Sequence, residues 1–386
     1  MFSRKAGPRW QTRCEAAIRT RAVRPARVCT ALALACATAC TLARTTATSS
    51  SEKTRAEKAW APASAPAQTW TRERLPDVGA EHIRARPIEL MIPEGDPPTE
   101  GWPFLVVTDG DSAFTETFRV GETMRALVDE GRIEPRVVIA VPSRDRTREL
   151  TPQRRGVASF AAYVVEVVLP AARAIVPLSE DGAILGYSFG GLAAAYFGVR
   201  YPELFGRVVA MSPSVWFRQR RVLRAVHEAE AIAARWWVDV GTREGHPRDV
   251  VPYMVADARQ LRREVERRNA EVGYLEAPGR AHDSNEAGLR MRWALDYALR
   301  DENCDPVEIE LHILKPDVRP GDSTATSVLT RCADGSPRSV DAAEVEFRAD
   351  GLRTAQDGVL WGRRRGTYEV VARTAGLEAR ARLRIR

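Results

Sequence analysis

A serine in a glycine-flanked turn is the first residue of this sequence with the context of a nucleophile. Residues 183–195 read AILGYSFGGLAAA, so an apolar run is followed by GYSFG (186–190) and then by small residues typical of a helix. The G-x-S-x-G pattern alone can occur by chance. A sharp strand-to-helix turn, however, needs glycines on both sides of the serine, because larger side chains would clash across it. The context therefore predicts that Ser188 is a nucleophile.

A glutamate and a histidine follow where such a nucleophile needs an acid and a base. In chains whose nucleophile lies on such a strand-to-helix turn, the order is Ser, Asp/Glu, His, on loops after later strands. The run RWWVDVG ends at Gly241 and leads to Glu244, and the next run, VGYLEAP, leads to His282. We predict that His282 is the general base and that Glu244 orients it. Asp239 is an alternative acid if its strand ends early, and His246 is a rival base.

Acyl transfer also needs two backbone N–H donors for the oxyanion. The N–H of Phe189, directly after the nucleophile, is one candidate. The second donor should follow the strand-like run FLVVT, where residues 109–111 read DGD and form a tight turn. We predict Asp111 N–H as that donor, with a plain Asp-Gly turn as the alternative.

Strand-like and helix-like segments alternate from about Trp70 onward. Apolar runs begin at residues 103, 136, 183, 207, 235 and 272, and helical patterns occupy 157–176, 192–201, 249–269 and 286–300. The runs at 104–107 and 137–141 are continuously apolar, as expected of strands covered on both faces. This alternation predicts an α/β fold with a mostly parallel central sheet over residues 70–302.

The pattern changes after residue 302. Five runs that alternate polar and apolar residues begin at positions 307, 326, 344, 366 and 377 and are separated by Pro, Gly and Asp. They predict a small antiparallel β-sandwich over residues 303–386. Because the candidate catalytic residues lie between Asp111 and His282, we predict that this second domain is dispensable for the chemistry.

Charge and cysteines are concentrated at the N-terminus. The formal net charge is +7, but residues 1–50 hold nine Lys and Arg against Glu15, so the remaining chain is close to neutral. A nucleic-acid-binding footprint is therefore not indicated. Four of the six cysteines lie in the same segment, and no Cys/His cluster with metal-ligand spacing is present, so we predict neither a metal nor a cofactor.

Residues 1–44 form a basic leader with a short apolar run, 28–42, that is too short to span a bilayer. A basic start, a short apolar core and small residues near 37–39 are typical of a secretory signal, which predicts an exported protein. Cys40 is a candidate for lipidation. The alternatives to a secretory signal are a disordered tail rich in Arg and Ala, and a wrongly assigned start codon. Residues 45–69 are rich in Ser, Thr, Ala and Pro and are predicted to be a linker.

In an exported protein Cys304 and Cys332 are candidates for a disulfide, with two free thiols as the alternative.

Five segments together resemble the enterochelin-esterase and esterase-D-like branch of the α/β-hydrolases. They are VTDGDSAF (107–114), RTRELTP (146–152), the segment 184–217, VGTREG (240–245) and GRAHD (279–283). The resemblance covers roughly residues 80–300. It implies an α/β-hydrolase fold in which Ser188, Glu244 and His282 occupy the triad positions.

The resemblance also suggests residues near the substrate. Trp216 and Phe217 lie where relatives often have an aromatic pair near the pocket, although packing in the core is the alternative. Arg148, in RTRELTP, is either an ion-pair partner of Glu149 or a substrate clamp.

The activity implied by the resemblance is serine-dependent hydrolysis of a carboxylic ester, as in siderophore esterases. Feruloyl or acetyl ester hydrolysis on polysaccharides and acyl transfer are alternatives that use the same triad. A non-catalytic binding protein on a hydrolase scaffold is an alternative of another class. The last β-rich segment resembles bacterial Ig-like modules more loosely.

Overall fold

The computed structural model describes residues 67–300, 305–355 and 357–386. The predicted leader with Cys40, most of the predicted linker, and Cys304 lie outside these residues. Cys332 is disulfide-bonded, but its pairing with Cys304 stays a prediction.

A mixed eight-stranded sheet forms the centre of the larger domain. Its strands are β1 (Trp70–Ala80), β2 (Ile83–Pro93), β3 (Trp102–Thr108), β4 (Val137–Val141), β5 (Leu178–Tyr187), β6 (Phe205–Met211), β7 (Arg235–Gly241) and β8 (Glu271–Ala277). Their order across the sheet is β1-β2-β4-β3-β5-β6-β7-β8. β1 and β2 form an antiparallel hairpin and β2 is antiparallel to β4, whereas β4, β3 and β5 to β8 are parallel. The predicted mostly parallel sheet is confirmed.

Helices cover both faces of this sheet. They are α1 (Val120–Asp129), α2 (Arg146–Glu149), α3 (Gly156–Tyr163), α4 (Leu169–Arg173), α5 (Phe189–Arg200), α6 (Phe217–Glu228), α7 (Tyr253–Arg267) and α8 (Ser284–Leu299), with a π-helical turn at Val164–Val168. One hydrophobic core lies on the face covered by α3, α5, α6 and α7, and another on the face covered by α1 and α8. The buried strands β3 and β4 contribute alternate side chains to both cores, which explains their continuous apolar runs.

Two predicted helices differ from the structure for local reasons. The predicted helix at 157–176 contains the π-helical turn, which ends two residues before Pro170. Pro170 lacks the N–H that a regular helical hydrogen-bond ladder needs. The predicted helix at 249–269 begins only at Tyr253, because Pro252 precedes it in an extended conformation. The segment from His246 to Pro252 is therefore a loop.

Two further sheets form the C-terminal domain. Its strands are β9 (Pro306–Ile313), β10 (Asp317–Val318), β11 (Ser323–Cys332), β12 (Pro337–Val340), β13 (Glu346–Arg348), β14 (Arg353–Thr354), β15 (Val359–Trp361), β16 (Gly366–Thr374) and β17 (Leu377–Ile385). One sheet has the order β10-β17-β16-β13, and the other contains β12, β11, β15 and β14 with β9 paired to β11. All pairs are antiparallel except β10 with β17. Side chains from both sheets share one core, so they pack as a sandwich.

The sandwich packs against the end of the large sheet at β8. The N–H of Glu276 in β8 donates to Ser339 Oγ in β12 at 2.8 Å. The Arg338 guanidinium lies over the rings of Trp237 and Tyr297, 5.1 and 4.6 Å from their centroids. The sandwich therefore covers an edge strand that would otherwise expose unpaired backbone groups.

Candidate active site

Ser188 occupies a strained turn between β5 and α5. Its φ of 60° and ψ of −115° place a non-glycine residue in a sparsely populated region. A Cβ on Gly186 would lie 2.1 Å from the carbonyl oxygen of Gly190, and a Cβ on Gly190 would lie 2.5 Å from Thr108 Oγ1. Both glycines are therefore required by close approach, and the turn presents the Ser188 side chain at the carboxyl end of the sheet.

Three side chains form a continuous hydrogen-bonded chain at this edge. His282 Nε2 lies 2.9 Å from Ser188 Oγ, and His282 Nδ1 lies 2.7 Å from Glu244 Oε2. A carboxylate can only accept, so Nδ1 carries the proton and Nε2 is free to accept the Ser188 hydroxyl proton. Glu244 is fully buried, whereas the His282 side chain is 35% exposed. The loops after β7 and β8 thus bring the predicted acid and base to the predicted nucleophile.

The carboxylate of Glu244 has two further donors. Glu244 Oε1 accepts from the Gly241 N–H and from Ser212 Oγ, each at 2.7 Å. With His282 on the other oxygen, the carboxylate is held in one orientation. A buried carboxylate needs such donors, because an unpartnered one would lose its hydration without compensation.

Asp239, the alternative acid, is fully buried and bonds to other groups. It accepts from Trp237 Nε1 at 2.9 Å and lies 3.1 Å from Arg290 Nη2. Burial raises the pKa of Asp239, and the Arg290 charge opposes that shift. The His282 imidazole contacts Glu244 instead.

Arg290 in α8 was not singled out from the sequence. It is buried, and its Nη2 donates to Ser212 Oγ at 2.8 Å and lies 3.7 Å from Glu244 Oε1. The only feature of the sequence that could have indicated a role for Arg290 is its position among the residues of α8 that face the core. Neither its depth nor its partners follow from that pattern.

The Tyr187 ring supports the imidazole. It stacks on His282 with centroids 5.0 Å apart and an interplanar angle of 24°. Burial raises the pKa of Tyr187, so this hydroxyl stays neutral. The stacking limits rotation of the imidazole away from Ser188.

The turn after β3 contains the predicted second oxyanion donor. Asp109 has a left-handed backbone, φ 57°, and Asp111 lies in the short 3-10 turn Gly110–Ser112. Side chains that follow β4 hold this turn in place. Asp109 accepts hydrogen bonds from Ser143 Oγ at 2.7 Å and from Arg146 Nε and Nη2 at 2.7 and 2.8 Å. Arg146, two residues before the predicted Arg148, was missed, although it belongs to the same RTREL segment.

Of the two alternatives for Arg148, the ion pair with Glu149 is not the one that the structure shows. Glu149 is buried and binds Arg86 through two hydrogen bonds of 2.6 and 2.8 Å. Arg86 comes from β2, which is distant in sequence, so the neighbouring arginine did not indicate the partner. Arg148 instead lines an open cleft of about 650 Å³ whose other cations include Arg154, Arg155 and Arg218.

Aromatic side chains form a wall beside the nucleophile. Phe189 contacts Phe217 and Trp216, with ring centroids 5.2 and 6.4 Å apart. Trp216 also meets Tyr253 edge to face at 6.1 Å. Trp216 and Tyr253 are 40% and 43% exposed, so neither is a core residue. Phe217 packs against the core. The sequence analysis did not identify Tyr253 as part of this wall.

Comparisons with known proteins match this region of the chain. The family model described as "Putative esterase" matches residues 81–284. The iron(III) enterobactin esterase of Escherichia coli K12 is 29% identical over 161 residues, which are 39% of this chain and 40% of that protein. The iron(III) enterobactin esterase of Dickeya dadantii is 34% identical over 121 residues, 30% of this chain and 27% of that protein.

The chain therefore spans less than half the length of these two relatives. The crystal structure of an IroE-like serine hydrolase from Shewanella oneidensis has a TM-score of 0.52 and 16% identity, and the match covers 61% of this chain and 82% of that one. At this identity the likeness shows a shared fold.

Proposed function

We propose that this chain, which belongs to the Esterase family, is a serine hydrolase of carboxylic esters that acts through an acyl-enzyme on Ser188. The observation that carries the proposal is the continuous chain from Glu244 through His282 to Ser188, with distances of 2.7 and 2.9 Å. These are the roles of acid, base and nucleophile in a catalytic triad. The intact chain argues against a purely binding role.

The reaction proceeds in two steps. As His282 Nε2 accepts the hydroxyl proton, Ser188 Oγ attacks the ester carbonyl carbon and forms a new C–O bond. The Phe189 and Asp111 N–H groups donate to the oxyanion. His282 then gives its proton to the leaving alkoxide as the original ester C–O bond breaks. A water molecule, deprotonated by His282, releases the acyl group from Ser188 in the same way.

The surroundings of the site support an anionic ester with aromatic groups. Two relatives are named as iron(III) enterobactin esterases. The cleft lined by Arg148, Arg154, Arg155 and Arg218 has a net positive charge, although it also contains Asp145 and Glu149. Its link to the aromatic wall is Arg218, which directly follows Phe217. Guanidinium groups favour anionic ligands, and exposed indole and phenol rings favour flat aromatic ones. We therefore place a siderophore ester ahead of neutral feruloyl or acetyl esters and of acyl transfer.

Export is a further part of the proposal. It is supported by the basic leader and the short apolar run at 28–42. N-terminal sequencing of protein from the native host would test it. A mature terminus close to residues 37–39 is expected, with a lipid if Cys40 becomes the first residue. An N-terminus at Met1 would contradict export.

The nucleophile can be tested directly. A fluorophosphonate probe should label the wild-type protein once and Ser188→Ala not at all, because the probe phosphonylates an activated serine. The melting temperature should change little. The same pair is then assayed on p-nitrophenyl acetate and on a panel of siderophore and feruloyl esters. Labelling of another serine, or undiminished hydrolysis by Ser188→Ala, would overturn the assignment.

A further inference from the structure

A second cleft, of about 710 Å³, lies where the sandwich meets the loop that follows Glu244. Arg248 and Val250 of that loop form one wall. The other walls come from residues 315–323 of the sandwich together with Arg365 and Arg386. The cleft shares no lining residue with the cleft beside Arg148. We call it the interdomain cleft.

Positive charge dominates the interdomain cleft. Its cationic side chains are Arg248, Lys315, Arg319, Arg365 and Arg386, against the two acids Asp317 and Asp322. The chain beyond residue 50 is close to neutral, so this excess is local. It does not follow from the overall composition.

Most of these charges have no carboxylate partner. Arg386 binds Asp317 through Nε at 3.0 Å. The ammonium of Lys315 donates to the carbonyl oxygen of Asp249, which leaves its charge uncompensated. Within the described parts of the chain, no carboxylate lies at ion-pairing distance from the guanidinium groups of Arg248, Arg319 and Arg365, which are exposed.

Unpaired guanidinium groups around one concave surface are suited to an anion. Each can bind a carboxylate or a phosphate group through two parallel hydrogen bonds. The volume is that of a site for an organic molecule and far exceeds the room that one inorganic anion needs. Val250, Val318 and Pro320 add apolar surface between the charges.

We propose that the interdomain cleft binds an organic polyanion, a ligand that carries several carboxylate or phosphate groups, at a site separate from Ser188. The loop between Glu244 and α7 forms one wall of this site and leads directly to Tyr253 of the aromatic wall. The proposal does not depend on the proposed function.

Calorimetric titration of the full chain tests the proposal. Tripolyphosphate and trigalacturonate are the two anionic probes, and maltotriose is the neutral one. All are titrated into the Ser188→Ala protein, so that binding is measured without turnover. Binding of either anion that becomes weaker as salt is added supports the site. Which of the two anions binds shows whether the site recognises phosphate or carboxylate groups. Absence of binding by both anions, or equal binding of maltotriose, overturns it.

Paired charge removals locate the binding. Arg319→Gln/Arg365→Gln should weaken anion binding about tenfold or more, because two charged hydrogen-bond donors are lost. The control, Arg84→Gln/Arg224→Gln, removes the same charge from exposed arginines outside the cleft and should bind like the parent. Since the replaced side chains are exposed, melting temperatures should stay close to the parent value. Equal losses in the two double variants would place the anion elsewhere.

Lysine acetylation gives an independent readout. Lys315 is the one lysine among the described residues, and Lys53 and Lys58 in the predicted linker serve as internal references. The bound anion should slow acetylation of Lys315 but not of the references, as measured by mass spectrometry. Unchanged Lys315 acetylation at saturating anion would contradict the proposal.

Discussion

Two buried carboxylates share one guanidinium behind the nucleophile. Asp239 and Glu244 are both fully buried, and Arg290 Nη2 lies 3.1 and 3.7 Å from their oxygens. Arg290 can only donate to Ser212 Oγ, so the Ser212 hydroxyl must donate onward to Glu244. Arg290 thus supplies positive charge to both carboxylates. The imidazolium that His282 forms during catalysis adds a second positive charge beside Glu244.

The two carboxylates should differ sharply in their effect on turnover. Glu244→Gln should lower kcat by about 10³–10⁴, because the amide no longer fixes the imidazole tautomer, with little change in KM. Asp239→Asn keeps an oxygen that can accept from Trp237 and should stay within about tenfold of the wild type. Steady-state kinetics on p-nitrophenyl acetate measures both. Comparable losses in the two variants would refute the separate roles.

Removal of the shared cation should cost stability. Arg290→Met leaves two buried carboxylates without their counter-charge, and such a change costs about 3–5 kcal/mol. In a domain of this size that lowers the melting temperature by roughly 6–20 °C. The double variant Arg290→Met/Asp239→Asn removes one of the two charges and should recover part of the loss. A double variant less stable than Arg290→Met alone would show that the charges do not interact as described.

At the level of elements, the turn from β5 to α5 depends on close backbone contact. In the turn that contains the strained Ser188, the backbone of Gly186 lies close to the carbonyl oxygen of Gly190. The parallel strands β3 and β6 pair with β5 along most of its length. Their hydrogen bonds stabilise β5 and so compensate for the strained backbone at Ser188.

A matched pair of glycine substitutions tests this requirement. Gly186→Ala places a Cβ 2.1 Å from a backbone oxygen, whereas a Cβ at Gly206, in β6, meets nothing within 4 Å. Gly186→Ala should abolish fluorophosphonate labelling and lower stability by about 3 kcal/mol or more. Gly206→Ala should be neutral or slightly stabilising. Thermal melts and labelling distinguish them, and equal behaviour would contradict the predicted clash.

At the level of the whole molecule, the sandwich and the α/β domain share interactions. Leu329 of β11 packs into the core beside α8, and Arg259 of α7 binds both Glu276 of β8 and the carbonyl oxygen of Thr326. The prediction that the sandwich is dispensable for chemistry remains a prediction. Because of these contacts, removal of the sandwich would expose apolar and polar groups of the catalytic domain to solvent.

One interdomain ion pair should make this docking sensitive to pH. Burial opposes ionisation of Asp334, but bonds from Ser336 and Arg132 outweigh it and lower the pKa of Asp334. Arg132 Nη2 lies 2.7 Å from Asp334 Oδ2. Stability from an acid with a lowered pKa is present above the unfolded-state pKa and is lost as the pH falls through the folded-state pKa.

Asp334→Asn should therefore lower the melting temperature at pH 7 by about 1–4 °C. The difference from wild type should shrink as the pH is lowered below about 4. Asp350→Asn, in an exposed pair with Arg348 within the sandwich, is the control and should have no measurable effect. A difference that grows toward acid pH would rule out the ionised Asp334 as its source.

The sequence by itself determined the features that depend on local pattern. Continuous apolar runs marked β3 and β4, and glycine spacing marked the turn at Ser188. The β1–β2 hairpin was missed, because β1 alternates charged residues with few buried ones. The order Ser188, Glu244, His282 could be read along the chain, because parallel strands place successive loops at one edge of a sheet.

Tertiary structure alone decided which side chains meet. Glu149 binds Arg86, 63 positions away, instead of its neighbour Arg148, and Arg290 reaches Ser212 across 78 positions. Tyr253 joins Trp216 only because the loop after β7 returns to the nucleophile. Such pairings depend on the order of strands in the sheet and on which helix covers which face. A buried charge takes the partner that this packing places within hydrogen-bond distance, whatever their separation in sequence.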